Sequence, residues 1–202
     1  MKNLLILFVI ITSVTMARAQ DENRALLEAN AVKFFGVDFS EVRVYGAVET
    51  PAQFLYAFEA INDLFLAEPK KYDFEKLLKR RVSTVSVKAV NSVIDYIEET
   101  ELKTDDASYQ LDNKTIAEVV KFLPVDKEEG VGVVMIAEMF NKPAGRGSYV
   151  VVYFSIDDKE ILGSFRAEVK AGGAGLRNYW ANSVYDIIKS NKKSLKELLF
   201  VL

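Results

Sequence analysis

Residues Val131–Phe140, VGVVMIAEMF, and Tyr149–Ile156, YVVVYFSI, decide the fold. Each is a nearly continuous apolar run, which is typical of a strand that is covered on both faces or lies centrally in a sheet. The loop Asn141–Gly147 joins the two runs and contains Pro143 and Gly145, residue types that favour turns. The sequence therefore predicts two strands joined by a short connection.

A third strand is predicted after the turn at 157–159. Apolar and polar residues alternate over Ile161–Val169, so this strand has a more solvated face, and the three strands form an antiparallel meander. A helix is predicted from Asn178, and its spacing places one apolar stripe back on the sheet. The stripe consists of Trp180, Val184, Ile187 and Ile188.

The residues before the meander predict a helix and then a strand. Asp21–Phe35 spaces its apolar residues for one face of a short helix, and Gly36 is a suitable stop. Val42 and Val44 then alternate with charged residues, as in a strand that has one solvated face.

A capping box marks the next helix. Thr50 caps it, Pro51 fits the first turn and Gln53 closes the box, so we expect a helix that runs to about Ala67. Its apolar stripe is Phe54, Phe58, Ile61 and Phe65. Such a stripe would suit an apolar ligand, but it is more often core, and we interpret it as core.

The middle of the chain predicts shorter elements. Asp73–Leu78 forms a helical turn, and Val82–Val87 forms a strand. Ala89–Gln110 favours either a helix or an extension of that strand, with an exposed polar loop in its second half. Asp112 or Asn113 then caps a further helix.

Together these elements predict an α+β protein, a two-layer α/β sandwich in which helices pack on a mostly antiparallel sheet. The chain contains no interdomain linker, so 20–202 is predicted to be a single α/β domain. A further capping box, Ser194–Glu197, begins a short terminal helix, and the apolar tail Leu198–Leu202 is predicted to dock on the body.

The amino terminus predicts export. Lys2 precedes the apolar run Leu4–Ile11, and Ala17–Ala19 provides small residues for cleavage, so 1–19 is expected to be a signal peptide. This run is well short of the about 20 residues that span a bilayer. We therefore expect a periplasmic or secreted protein with no integral membrane span.

Composition excludes several kinds of chemistry. The chain contains no histidine and no cysteine, which removes histidine-dependent triads, cysteine nucleophiles, imidazole or thiolate zinc sites and haem ligation by these residues. No cofactor and no metal site is expected. The net charge is −3, and it becomes −5 without Lys2 and Arg18, since 24 basic residues then face 29 acidic ones. An acidic chain argues against nucleic acid as a partner.

The candidate ligand site is the segment Lys170–Trp180, in which a glycine-rich loop opens a helix. Free backbone N–H groups attract anions at such a start, Arg177 can pair with a phosphate or carboxylate, and Trp180 can stack on a sugar or base. The candidate binding residues are Gly173, Gly175, Arg177, Tyr179 and Trp180. The structural alternative is a tight glycine turn with Trp180 in the core.

One carboxylate lies within the apolar run that opens the meander. Glu138 is a candidate for an acid or base of tuned pKa, as in reactions that need only carboxylates. A structural pairing with Arg166 on a neighbouring strand is the favoured interpretation. The pairs Asp105–Asp106 and Asp157–Asp158 lack the alternating oxygen ligands of a calcium loop and are interpreted as turn residues.

The segment Gly175–Trp180, GLRNYW, carries a resemblance that covers about the last third of the chain. With the strands before it, this segment resembles a group of exported bacterial proteins of unknown function. The order of elements is also similar, more distantly, to small α/β domains of envelope assembly factors. Examples are the amino-terminal domain of the Tol translocation propeller protein and the lipoproteins of curli secretion and penicillin-binding-protein activation.

Those assembly domains bind protein partners, which implies a noncatalytic interaction or assembly module of the bacterial envelope, with another envelope protein as partner. The chain departs from the lipoprotein members because it has no cysteine to carry a lipid. The alternative function is a small-ligand-binding protein or enzyme that acts on an anionic or carbohydrate ligand through Lys170–Trp180.

Overall fold

A long strand at the centre of a seven-stranded sheet organises the molecule, and the computed structural model describes residues 29–190. The predicted signal peptide 1–19, the capping box Ser194–Glu197 and the tail Leu198–Leu202 lie outside these residues. The strands are β1 Ala31–Asp38, β2 Arg43–Tyr45, β3 Arg81–Val85, β4 Lys103–Thr104, β5 Val131–Asn141, β6 Arg146–Ser155 and β7 Ile161–Lys170. The helices are α1 Pro51–Ala67, α2 Phe74–Leu78, α3 Lys88–Ser92, α4 Glu99–Leu102, α5 Asn113–Phe122 and α6 Leu176–Ser190.

The predicted meander is present. β5 pairs with β6 in an antiparallel register that runs from Val131 opposite Ser155 to Asn141 opposite Arg146, and β6 pairs with β7 in the same sense. Almost every residue of β5 and β6 is buried, whereas β7 has several exposed positions. The two continuous apolar runs therefore form strands covered on both faces, and the alternating run forms the more solvated edge.

The rest of the sheet corrects the prediction that it is mostly antiparallel. The other edge of β5 pairs with β1 along its first half and with β2 along its second half, and both pairings are parallel. β3 pairs with β1, and β4 pairs with β2, again in parallel. Four of the six strand pairings are thus parallel, and the prediction of a mostly antiparallel sheet was wrong.

The error has its source in β1. The sequence predicted that Ala31–Phe35 would continue a helix, but these residues begin a strand between β3 and β5. Phe34 and Phe35 are adjacent, so they point to opposite faces of the sheet, and both are buried. A strand buried on both faces shows no alternation, and over a short segment its apolar residues also match a helical spacing.

The helix α1 forms as predicted. The Thr50 hydroxyl accepts a hydrogen bond from Gln53 N, the Gln53 side chain accepts one from Thr50 N, and Pro51 occupies the first turn. Phe58 stacks on Phe39, with ring centroids 4.3 Å apart, and the Phe65 ring lies against Phe34. The phenylalanine stripe is therefore core, as interpreted from the sequence.

The helices α1, α2 and α6 form a layer on one face of the sheet. The Tyr149 and Ser183 hydroxyls lie 2.5 Å apart, which joins β6 to α6, and the Tyr153 hydroxyl donates to Leu78 O at the end of α2. α1 packs on both α6 and β1. None of the helices within 29–190 combines the length and the apolar character that crossing a membrane requires.

The segment between β3 and β5 contains several short elements. Ala89–Gln110 is neither one helix nor an extended strand: it contains most of α3, a 3-10 turn at Ile94–Tyr96, then α4 and β4. Asp112 caps α5, since its carboxylate accepts a hydrogen bond from Thr115 N at 2.7 Å. The predicted cap is confirmed, whereas the short elements before it depend on packing that a local pattern does not encode.

Candidate functional site

The glycine-rich loop after β7 makes a tight turn into α6. Gly173 and Gly175 have φ values of +116° and +80°, a region that side chains other than glycine rarely adopt. A Cβ atom at Gly173 would lie 3.3 Å from Asn178 O. Tyr179 N donates to Gly175 O, and Gly172 N donates to Tyr179 O, so the loop closes on the first turn of the helix.

Trp180 lies in the core. Its side chain is fully buried and stacks on Phe140 of β5, with ring centroids 4.2 Å apart and an interplanar angle of 6°. A ring in this position has no free face for a sugar or base. Trp180 therefore lies in the core, as the structural interpretation of this segment expected. The ligand-binding role of the loop stays a prediction.

Tyr179 joins the start of α6 to the loop between β5 and β6. The Lys142 ammonium lies 3.4 Å from the centroid of the Tyr179 ring, and the Tyr179 ring meets Trp180 edge-on at 5.0 Å. Lys142 N in turn donates to Tyr45 O of β2. Tyr179 is thus half-buried and held by a cation–π contact, which stabilises the helix start against the sheet edge.

Arg177 is exposed, whereas Trp180 is buried. Its Nε donates to the Asn178 side chain at 3.1 Å, and its guanidinium borders a groove of about 540 Å³ between α1 and α6. The groove is lined by Ala52, Gln53, Tyr56, Ala57, Ala60, Leu176 and Arg177. The structure therefore separates the predicted site residues: Trp180 lies inside the core, and Arg177 lies on the surface.

The α1–α6 groove, defined by these lining residues, is mainly apolar. Tyr56 is 79% exposed, although tyrosine is a large and partly apolar side chain. The alanines of α1 that line the groove have short side chains, which leave space for a ligand or partner side chain. Sequence reasoning missed this surface because the phenylalanine stripe is the dominant apolar pattern of α1. The signal that could have found it is the row Ala52, Tyr56, Ala60, spaced by four residues on the face opposite the core.

Glu138 has a structural environment. Its Oε1 accepts hydrogen bonds from Leu111 N at 2.8 Å and from Arg166 Nε at 3.2 Å, and Arg166 Nη2 donates to Leu111 O. The predicted pairing is therefore confirmed, but the strand is not a neighbour of β5, because β6 lies between β5 and β7. Glu138 lies at a register shift in the pairing of β5 with β6, and there its side chain reaches Arg166 of β7.

A second buried carboxylate lies where β1 ends. Asp38 is 2% exposed, and its Oδ1 accepts hydrogen bonds from Ser40 N and from the Ser40 hydroxyl. Burial raises the pKa of Asp38, and the two hydrogen bonds from Ser40 offset only part of that rise. Sequence reasoning missed Asp38 because an aspartate two residues before a serine is typical of a surface turn.

Acidic side chains elsewhere serve turns. Asp106 accepts a hydrogen bond from Ser108 N and Asp158 accepts one from Glu160 N, as expected of turn residues. Within 29–190 no three acidic side chains lie close enough together to hold a metal ion.

Comparison with known proteins gives no match: neither a protein-family model, nor a curated protein, nor a solved structure matches the chain. Its function is therefore inferred from its own structure. What it defines is an α+β protein with a mixed sheet, a helical layer on one face and an apolar groove in that layer.

Proposed function

We propose that this protein is a noncatalytic interaction module of the bacterial envelope and that it binds a partner protein in the α1–α6 groove. The observation that carries the proposal is the groove itself, about 540 Å³ in volume, mainly apolar, and bordered by Tyr56 and Arg177. Its volume lies within the range of about 300 to 1,000 Å³ in which proteins hold small ligands or anchoring side chains.

The chemistry of the groove favours a protein partner. Tyrosine and arginine are the residue types, with tryptophan, that contribute most binding energy at protein interfaces. The alanines and Leu176 provide an apolar floor on which a side chain of the partner loses contact with water. The exposed Arg177 at the rim can pair with a carboxylate of the partner, so the expected partner segment combines an apolar anchor with an acidic residue.

The carboxylate that the sequence singled out as a possible acid or base is held in a structural pairing. Glu138 is held by Leu111 and Arg166, and it lies on a different part of the molecule from the α1–α6 groove. This engagement supports a binding function rather than acid–base chemistry at Glu138.

The proposed location outside the cytoplasm depends on residues 1–19, which have the basic start, apolar run and small-residue cleavage site of a signal peptide. Expression in a bacterial host, followed by cell fractionation and amino-terminal sequencing, tests it. A mature protein that begins at Gln20 and lies outside the cytoplasm supports export, and an uncleaved cytoplasmic chain contradicts it.

Photo-crosslinking tests the partner. A photoreactive phenylalanine analogue at position 56 should capture one protein of defined mass in intact cells. The matched control places the same analogue at position 96, because Tyr96 is also strongly exposed, at 83%, but lies outside the groove. The Arg177→Glu variant should abolish capture from position 56. Equal capture at both positions, or capture that survives Arg177→Glu, would contradict the proposal.

A small ligand is the second candidate, since an exposed arginine beside a concave apolar surface also suits an anionic metabolite. Thermal unfolding against sugars, nucleotides, phosphates, divalent metals and peptidoglycan fragments distinguishes it, because a ligand that binds only the folded state raises Tm. A rise that is lost in Arg177→Ala would replace the partner protein with that ligand.

A further inference from the structure

A second concave surface lies at the opposite end of α6 from Arg177. It has a volume of about 460 Å³ and is formed by the turn after α1, by α2 and by the last turns of α6. Its lining residues are Lys70, Lys71, Asp73, Lys76, Lys79, Tyr185, Ile188 and Lys189. We call it the lysine groove. Five ammonium groups and one carboxylate give the lining a formal charge of 5 − 1 = +4, whereas the whole chain carries −3.

Three of the five lysines that line the groove are outside the ion pairs formed within residues 29–190. Lys71 pairs with Glu68 at 3.4 Å, and Lys76 pairs with Asp73 at 3.0 Å. Lys70, Lys79 and Lys189 form no ion pair with any residue from 29 to 190. Like charges at close range repel one another, so this concentration of lysines raises the free energy of the empty groove, and an anion lowers it.

An aromatic ring also lines the groove. The Tyr185 ring lies near two of the lysines, with the Lys71 ammonium 5.6 Å and the Lys189 ammonium 5.2 Å from its centroid. Lys79 ends α2 in the left-handed conformation, at φ 53°, and its backbone N–H donates to Glu75 O. Two ammonium groups thus lie close to one ring, and Lys79 at the end of α2 lines the same concavity.

We propose that the lysine groove is a binding site for a ligand that carries several phosphate groups. Separate ammonium groups on flexible stems suit phosphate oxygens that point in several directions, whereas a single planar carboxylate is better matched by arginine. The site is independent of the partner site in the α1–α6 groove, and either can fail without the other. A local sequence pattern does not reveal the lysine groove, because Lys70 and Lys71 are far from Lys189 along the chain.

Calorimetric titration of the full chain with inorganic tripolyphosphate tests the site. Lys79→Gln/Lys189→Gln should weaken binding by about 10-fold or more, since each 1.4 kcal/mol of lost binding energy is a factor of ten. Lys114→Gln/Lys127→Gln is the matched control: it removes the same charge at exposed lysines on another part of the surface. The control should bind tripolyphosphate as the wild type does.

Two further titrations identify the source of the phosphates and the specificity of the site. Phosphatidylcholine vesicles with about 20 mol per cent cardiolipin present the same chemistry on a lipid headgroup. Loss of vesicle binding in the groove variant, but not in the control, identifies a lipid source, and an effect confined to tripolyphosphate identifies a soluble one. Citrate is a carboxylate polyanion, so citrate binding as strong as tripolyphosphate binding overturns the proposal. Equal losses in both double variants, or no binding of either phosphate probe, also overturn it.

Discussion

The meander β5–β7 and the strands β1–β4 share one sheet but are held together differently. The meander strands follow one another along the chain, pair over nearly their full lengths and join through short loops. The other strands are shorter, and their parallel pairings require long connections that contain helices. Consequently, the meander depends on local apolar runs, whereas the parallel strands depend on contacts from distant segments.

A buried amide shows what the parallel strands need. The register of β1 shifts between Phe34 and Val37, where Gly36 has a φ of +92°. Asn62 of α1 replaces the lost ladder contacts: its side chain accepts from Val37 N at 2.9 Å and donates to Val37 O at 3.0 Å. Buried backbone groups must be paired, so a side chain from another element completes the strand.

The largest effect is expected in the core beneath the meander. Trp180→Ala removes a fully buried ring that stacks on Phe140, and it should lower the free energy of unfolding by about 3 to 5 kcal/mol. Urea denaturation measures the change. Tyr96→Ala, at a strongly exposed aromatic position, should change it by no more than about 0.5 kcal/mol. A loss below about 1 kcal/mol in Trp180→Ala would mean that the ring is not part of the core.

A smaller effect is expected where β1 is irregular. Asn62→Ala leaves the backbone groups of Val37 buried without partners, so stability should fall by about 2 to 3 kcal/mol. Asn91→Ala is the control, because it removes only the single hydrogen bond from Asn62, 2.9 Å long. Equal losses in the two variants, measured by urea denaturation, would show that the contact with Val37 does not stabilise the strand.

The cap of α1 should have a more modest effect. Thr50→Ala removes the hydroxyl that accepts from Gln53 N and should lower the free energy of unfolding by about 1 kcal/mol. Thr50→Ser keeps a hydroxyl in the same position and should retain most of the stability. A Thr50→Ala protein with the Tm of the wild type would argue against the capping box.

The effect expected at Asp38 depends on pH and vanishes at low pH. Because burial raises the pKa of Asp38 above the unfolded value of 3.8, the folded state keeps a proton that the unfolded state has lost. This group therefore makes stability fall as pH rises from 3.8 through the folded pKa. Asp38→Asn keeps the acceptor for Ser40 and removes the titration, so the variant should gain stability relative to the wild type over that range.

Urea denaturation of both proteins from about pH 3 to about pH 8 measures the difference for Asp38→Asn. Taking the difference between the two proteins cancels the other carboxylates. A difference that is constant with pH, or one in which the variant loses stability as pH rises, would contradict the prediction.

Local signals account for the elements that were predicted. The capping box of α1, the apolar runs of β5 and β6 and the alternation in β7 each act over a few residues, so α1 and the meander could be predicted. β1 could not, since its burial on both faces hides its period. Local patterns are also insufficient to predict the two grooves. The sequence indicated Arg177 because it follows a glycine-rich loop. Tyr56 and the lysines line grooves that form only when separate helices pack together.

By itself, the sequence determined the α+β class, the antiparallel order of the last three strands, the start of α1 and the partner of Glu138. These follow from hydrogen bonding and apolar burial between residues that are close along the chain or strongly complementary. Only the tertiary structure decided that β1–β4 add in parallel, that Arg177 lies on the surface apart from the buried Trp180, and that two grooves lie at the two ends of α6. Each of these results depends on which distant segments pack together, and hydrophobic burial, being non-directional, does not specify that locally.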